Sequence, residues 1–469
     1  MSAAELPIWT AEERESFFAA IARHRRAAWQ VSAVAAVCIA ILAFVVATLT
    51  APLFYAVIGL SLDVINLFVP MPDLLGSVGA MLSDAIDNIE TQSAGRLLYL
   101  ALIVALPGMI AVLLVLHTLR RIVREAEESG AQELALRAPN PAMLAEQRLA
   151  NVVAEMAIAA NIKVPKVAII DTPSVNAAVY GPDDETVTVL VSTGLLEKLN
   201  RAQMQAIAGH LVGLIANGDV VQGMRVAQTL SLFGFVARLS DGIVDPPAWS
   251  RLWQTLREAV KKGASSADSR LILELTNPFG NAQSSRPSGG DTSNKLTWRE
   301  WIRMPLYGPV VISGFFGGMV SSCFLEPLLA LIWRRRKFLA DAIAVQLTRD
   351  PQALSDALGE LGNGGSFPAW CSHMLVAGGA HRGGLLSGSS VPMYPAHDKR
   401  LKALARMGAT VVLSPPPSMP SWAKALIAVA GVVVVALLSV AIYLLVMVSI
   451  ALSGLFTLLP TVILHALLR

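Results

Sequence analysis

The sequence predicts a multi-span α-helical membrane protein carrying a cytoplasmic α/β domain, mainly helical with a small sheet. Three observations predict it. Hydrophobic residues make up 54% of the 469-residue chain and charged residues only 15%, where a soluble globular protein carries about 25%. Several apolar runs reach the roughly 20 residues that an α-helix needs to cross a bilayer. Between them, over residues 125–219, helical periodicity alternates with short β-branched runs.

The elements follow in order. Residues 1–26 form an N-terminal segment ending in His24, Arg25 and Arg26. A first transmembrane region is expected over 27–62, too long for a signal peptide and without a small-residue cleavage site. Its second half, from Pro52 to Pro70, reads as a re-entrant or interfacial segment. The loop 63–96 holds Asp73, Asp84, Asp87 and Glu90, and a second transmembrane helix, 97–119, closes on Arg120, Arg121 and Arg124. Basic flanks on one side and acidic residues on the other place the N-terminus and the following domain in the cytoplasm.

That domain opens with helical patterning in LAEQRLANVVAEMAIAANI and a strand, KVAIID. A turn-rich stretch, TPSVNAAVYGPDDE, leads to the β-branched run TVTVLVS, and a helix starts near Arg201. Two more apolar runs, 220–239 and 305–333, are read as membrane helices, the first marginal because Arg225 and Arg238 lie near its ends. They enclose a polar insertion, 240–304, rich in Ser, Gly and Pro around Asn281–Asn294 and expected to be a loop. Two crossings return Arg334–Lys337 to the cytoplasm, whereas one would strand four cations on the wrong side. Residues 334–420 hold the domain's second half, helical through about Leu361, then a Gly-rich stretch and Pro415–Pro417. The segment 421–469 is apolar enough for one or two further spans.

A formal charge of +3 gives no reason to expect nucleic acid as a partner. Cys38, Cys323 and Cys371 are far apart and form no CxxC pair, so neither a disulfide framework nor a cysteine metal site is expected.

The soluble stretch resembles the HtpX and CAAX-prenyl-protease group of membrane zinc metallopeptidases. The resemblance runs through NVVAEMAIAANIKVPKVAIID, PSVNAAVYG, VLVSTGLLEKLNRAQMQAIAGH, IANGD and RRRKFLADAIAVQLTRDPQAL, in that order. It covers about Leu149–Asp241 and Glu326–Leu361, with weaker echoes in the first two spans and at Tyr394–Leu401. It implies a zincin-like metallopeptidase domain, a bacterial inner (plasma) membrane, and a setting in membrane-protein quality control.

In that family the chemistry rests on HExxH in one helix and ExxxD in a later one. Two His at i and i+4 share a helix face and bind Zn²⁺, while the Glu between them activates the metal-bound water. A Glu of the second helix completes the ligand set, and the Asp four residues later orients a ligand His. Here the first motif reads His210-Leu211-Val212-Gly213-Leu214, and the second Lys337-Phe338-Leu339-Ala340-Asp341. His210 and Asp341 stay; the general-base position is Leu211, and the other two ligand positions are Leu214 and Lys337. One imidazole is too few donors for zinc, so no metal cofactor is expected.

His397, shifted from the place where related sequences carry His-Pro-Pro, offers in principle a substitute ligand. Lys337 reads as the end of the membrane-flanking cluster Arg334–Arg336, or as the partner of a nearby acid. The bland reading of His210 is a leftover histidine held by Asp341, with Leu211 and Leu214 filling the former cavity. Asn176, Ala177, Ala178, Thr188, Val189 and Thr193 align with the family's cleft edge, where an extended peptide adds as a strand.

The expectation is a non-catalytic homologue that works by binding. Its partners are the lipid bilayer and other membrane proteins, as a complex subunit, a regulator or a client binder. The alternatives are an active zinc endopeptidase with a rebuilt or partner-completed site, or a natural peptidase inactivated by substitution.

Overall fold

The protein is described from a computed structural model. It describes residues 14–66, 93–133, 136–181, 186–223, 326–362, 374–378 and 394–413 as continuous stretches, with residues 4–5, 68–70, 367 and scattered positions of 76–84, 225–261 and 420–440. The insertion 240–304 and the spans expected at 220–239, 305–333 and 421–469 fall mostly outside the described residues.

The chain divides into two units, one of residues 1–35 and 118–415, the other of 36–117 and 416–469. The second unit contains most of the two long apolar helices, α1 (Phe17–Asn66) and α2 (Ala94–Glu133). Each contains a stretch long and apolar enough to cross a membrane, Phe17–Thr48 and Leu98–Ile122. Within this unit Ala51, Tyr55, Leu100, Ala101 and Val104 pack together, and Tyr55 Oη donates to the Ile103 carbonyl at 2.8 Å. Gly108 lets the two backbones touch, since a Cβ there would stand 2.0 Å from the Ala47 carbonyl oxygen. The re-entrant reading of 52–70 is corrected: α1 runs unbroken through Pro52 to Asn66.

The first unit is built on a four-stranded sheet. Its strands are β2 (Leu136–Arg137), β3 (Lys166–Ile170), β4 (Ala177–Tyr180) and β5 (Thr188–Ser192), in the order β2-β3-β5-β4. β5 runs parallel to β3, and β4 returns antiparallel beside β5. A two-residue pairing of β1 (Ala4–Glu5) with β6 (Val412–Leu413) stands apart. β3 and β5 fall where β-branched residues predicted them; β4 corrects the turn-rich reading of its segment. Its four residues, Ala-Ala-Val-Tyr, carry no polar alternation because three are buried.

Helices α3 (Leu144–Ala159), α4 (Thr193–Lys198), α5 (Arg201–Ala216), α6 (Glu326–Thr348), α7 (Pro351–Glu360) and α8 (His397–Arg406) complete the unit. The start of α5 is set by a capping box: Asn200 accepts from the Gln203 amide, and Gln203 reaches back to the Asn200 amide. Arg349, with φ 55°, turns the chain out of α6, and Asp350 caps α7 by accepting from the Ala353 amide. Leu149, Val153, Ile169, Val189, Leu211, Leu214, Ala344 and Leu354 belong to one apolar core at the centre of this unit. The N-terminal end of α1 joins α6 through Ala20, Ile21, Leu339 and Ile343.

Candidate functional site

The site lies where α5 crosses α6, and two glycines set how close the helices come. A Cβ on Gly213 would stand 3.2 Å from Cβ of Ile343, and one on Gly209 3.3 Å from Cα of Ala344. This approach puts His210 Nδ1 2.8 Å from Asp341 Oδ1, with both side chains closed off from solvent. The ring is not aligned for a good hydrogen bond along that contact, and Nε2 meets no hydrogen-bonding partner among the described residues.

Asp341 has a stronger partner on α8. Arg400 grips it with two bonds, Nε to Oδ2 at 2.8 Å and Nη2 to Oδ1 at 2.6 Å, the fork geometry that suits guanidinium and carboxylate. Burial works against the Asp341 charge, but Arg400 outweighs it and holds the carboxyl well below the usual range. Burial pushes the His210 imidazole down to about 4, with Asp341 opposing and Arg400 and Lys337 assisting. At neutral pH the histidine is therefore uncharged, and Arg400 is the cation that compensates Asp341.

One turn before Asp341, Lys337 is buried too, with 2% of its surface exposed. Its ammonium donates to the Leu375 carbonyl and lies 5.8 Å from the centre of the Tyr394 ring. Burial first, then Arg400, lowers its amine to about 7, with Asp341 and Asp219 opposing. Both expected roles of Lys337 are corrected: it is buried rather than flanking a membrane, and among the described residues it has no carboxylate within ion-pair distance. Its neighbour Arg336 leaves the cluster as well, bonding Asp219 and Gln222 at 2.5 Å each.

Leu211 and Leu214 are each 1% exposed and belong to the central core. Burial of a leucine side chain contributes about 1.5–3 kcal/mol. Zinc needs several nitrogen, oxygen or sulfur donors. Around His210 the corresponding positions offer two aliphatic side chains and an amine already bonded to a carbonyl. His210 Nε2 is the one ring donor left over, and among the described residues no three His, Cys, Asp or Glu side chains gather around a metal-sized space. The residues present do not fit the metal. His397, expected as a possible substitute, is an exposed first residue of α8 and stands outside the cluster.

The expected peptide edge divides. β5 is flanked by β3 and β4, so Thr188 and Val189 are interior and offer no free edge, which corrects their assignment. Thr193 is also taken, donating to the Thr172 carbonyl at 2.9 Å and accepting from the Thr172 amide at 3.0 Å. Asn176, Ala177 and Ala178 do belong to the edge strand or its entry. The chain's own residues 374–378 already sit on this edge: the Val376 amide donates to the Ala177 carbonyl at 2.9 Å. Asn176 Nδ2 donates to the Ala377 carbonyl at 2.6 Å and to that of Gly362 at 3.0 Å.

Arg400 and the 374–378 segment were not marked as site residues in the sequence. For Arg400 the signal is the family resemblance, in which an Arg-containing helix follows the place held here by Tyr394-Pro395-Ala396, 59 residues after Asp341. For Lys337 a signal was present: it stands four residues before Asp341, hence on the same helix face.

The profile of Peptidase family M48 matches residues 143–244. Among curated proteins, a protease HtpX homolog of Ligilactobacillus salivarius is 27% identical over 208 residues, 44% of this chain and 55% of that protein. A protease HtpX homolog of Nitrosomonas europaea is 39% identical over 106 residues, 22% of this chain and 36% of its own. Protease HtpX of Shewanella pealeana is 39% identical over 101 residues, 21% and 35% of the two chains. The chain thus spans about a third to just over half the length of these relatives. No solved structure matches it.

Proposed function

From the premise that the chain is an HtpX-type member of peptidase family M48, we propose that it is a membrane-bound, non-catalytic homologue that works by binding. One observation carries this reading: where the fold would hold a general base and two further metal ligands, Leu211, Leu214 and Lys337 are buried and satisfied within the protein itself. A leucine supplies neither a lone pair nor a proton acceptor, and a lysine ammonium repels a divalent cation. The α1 and α2 apolar stretches support residence in a membrane. The basic flanks of those stretches support a cytoplasmic domain at a bacterial inner membrane. The partners are other membrane proteins, held as complex subunits, regulated relatives or clients in quality control.

A second reading has one observation in its favour. His210 keeps a buried Nε2 with no partner among the described residues, the atom that a ligand histidine would turn to a metal while Asp341 faces Nδ1. A partner chain supplying the missing donors, or a natural peptidase with substituted ligands, would leave it so.

Elemental analysis of protein purified without chelator separates the two. The binding reading expects less than about a tenth of an equivalent of zinc, because one imidazole holds zinc too weakly to survive purification. Near one equivalent overturns it. The triple variant Leu211→Glu, Leu214→His, Lys337→Glu restores a full donor set on the same two helices. We expect it to take up zinc, and a folded triple variant that stays metal-free removes the claim that the scaffold once held the ion. Mild detergent extraction should recover the protein with a membrane-protein companion; a lone monomer in every preparation counts against binding as its role.

A further inference from the structure

Cations from three distant parts of the chain meet at the base of α1. Arg406, the last residue of α8, is tied to this place by its carbonyl, which accepts from the Glu15 amide at 2.9 Å. From α6, the Phe338 ring stacks on His24 with centroids 5.5 Å apart and planes 12° from parallel. The apolar contacts of Ala20 and Ile21 with Leu339 and Ile343 hold the two helices in that register. Arg23, Arg335 and Arg406 all stand within electrostatic reach of the His24 ring, and their own side chains are exposed, as are those of Arg25 and Arg26.

Acids do not keep pace with these cations. Glu15 pairs with Arg23 at 2.9 Å, and Asp341, the acid that acts on His24, is already held by Arg400. Asp398 lies at the end of α8 opposite Arg406. Among the described residues Arg25, Arg26, Arg335 and Arg406 meet no carboxylate within ion-pair distance. His24 adds a neutral donor. Its Nε2 lies 3.3 Å from Arg23 Nη2; a guanidinium only donates, so the ring carries its proton on Nδ1. That N–H is buried and has no acceptor among the described residues, where a buried donor ordinarily has one.

The depth of the cluster along α1 matches a bilayer surface. α1 turns apolar at Ala27, directly after Arg26, and Trp29 beyond it is 74% exposed, as aromatic rings in the headgroup layer are. At 1.5 Å per residue Arg23 lies about 6 Å before Ala27, inside a headgroup layer about 5–8 Å deep. Arg335 stands two residues past Trp333, where the apolar run entering α6 ends.

We infer that this junction binds the headgroup of an anionic lipid in the cytoplasmic leaflet, its phosphate received by Arg335, Arg406 and the His24 N–H. The site presupposes the membrane residence proposed above and adds what basic flanks alone do not. A biased flank sets orientation, whereas here cations from residues 23, 335 and 406 converge on one place. Guanidinium forks suit phosphate oxygens. A zwitterionic headgroup brings the same phosphate with an ammonium beside it, which the unpaired arginines repel.

The test uses the full-length protein in phosphatidylcholine vesicles with a trace of phosphatidylglycerol carrying a photoreactive headgroup, adducts being mapped by mass spectrometry. We expect adducts concentrated on residues 14–29, 335–338 and 399–408. Unlabelled phosphatidylglycerol in about tenfold excess over the probe should suppress them severalfold, and the same excess of zwitterionic phosphatidylethanolamine should not. Arg335→Gln with Arg406→Gln should lower them about tenfold or more, since each cation near an anionic surface strengthens attraction about fivefold. Lys163→Gln with Lys166→Gln, which changes the net charge equally on the β3 side, should leave them unchanged. Equal suppression by the two lipids, or an equal loss in the lysine variant, overturns the inference, because the cations then act as a diffuse charge. Suppression by inorganic phosphate overturns the lipid as the source of the anion. The competition needs no variant, so it decides even where the double glutamine protein does not fold. Adducts elsewhere on the chain with none here sink this inference alone; no adduct anywhere removes the membrane residence as well.

Discussion

Asp341 and Lys337 are one turn apart on α6, and the chain buries their charges in opposite ways. At Asp341 the charge is compensated: Arg400 holds both oxygens and His210 stands 2.8 Å away. At Lys337 the cation faces a neutral peptide carbonyl and a tyrosine ring, with leucines in the core of the crossing helix. The adjacent Arg336 shows the ordinary solution, a carboxylate at 2.5 Å. The difference teaches which part of the site is framework and which part is poised. A buried ion pair resists change because removing one member strands the other. A buried amine with no carboxylate in direct contact among the described residues sheds its charge instead, and Lys337 with an amine near 7 does so around neutrality, Asp341 and Asp219 only partly opposing burial and Arg400.

The largest expected effect is at the compensated end. Asp341→Ala leaves Arg400 buried and unpaired, which should cost about 3–5 kcal/mol, read as a lower denaturant midpoint. A loss under about 1 kcal/mol would mean that the pair is solvated and the contrast with Lys337 is unfounded.

Lys337→Met sharpens the comparison through pH. In the folded protein the amine sits near 7, against 10.5 in the unfolded chain. Between these values the unfolded chain binds the extra proton, so the stability of the natural protein rises with pH from about 7 to about 10.5. Below 7 the ammonium is present in both states and the burial penalty is complete. The methionine variant lacks this titration. It should be the more stable protein at pH 6 and lose that advantage by pH 10, where it still lacks the bond to Leu375. Parallel melting curves across this range would show that Lys337 is hydrated.

His210→Leu should have the smallest effect at neutral pH, about 1 kcal/mol, because Arg400 still satisfies Asp341. Its signature lies in acid. The folded imidazole near 4 against 6.5 unfolded makes stability fall as pH drops from about 6.5 toward 4. The depressed Asp341 adds a loss of the same sign below the ordinary carboxylate range. The leucine variant should keep the Asp341 limb and lose the histidine limb.

Much of the frame was legible along the chain. α3, β3, β5 and α5 follow from local periodicity and β-branching, which act within a few residues. The pairing of His210 with Asp341 came through the family resemblance, and the two side chains do meet. β4 was not legible, since four mostly buried residues show neither alternation nor a helix period. Nor was Arg400 as the partner of Asp341, because nothing local links residues 59 apart.

The sequence by itself determined the apolar stretches, most of the helices, the two β-branched strands and the loss of donor atoms at Leu211, Leu214 and Lys337, because side-chain chemistry and short-range periodicity are written in order along the chain. The tertiary structure alone decided that β4 and not β5 is the edge, that Lys337 is buried against a carbonyl, and that residues 374–378 cover the edge. Those outcomes depend on which hydrogen-bonding groups distant segments bring together, and a backbone amide or carbonyl leaves no mark of its partner in the residue that carries it.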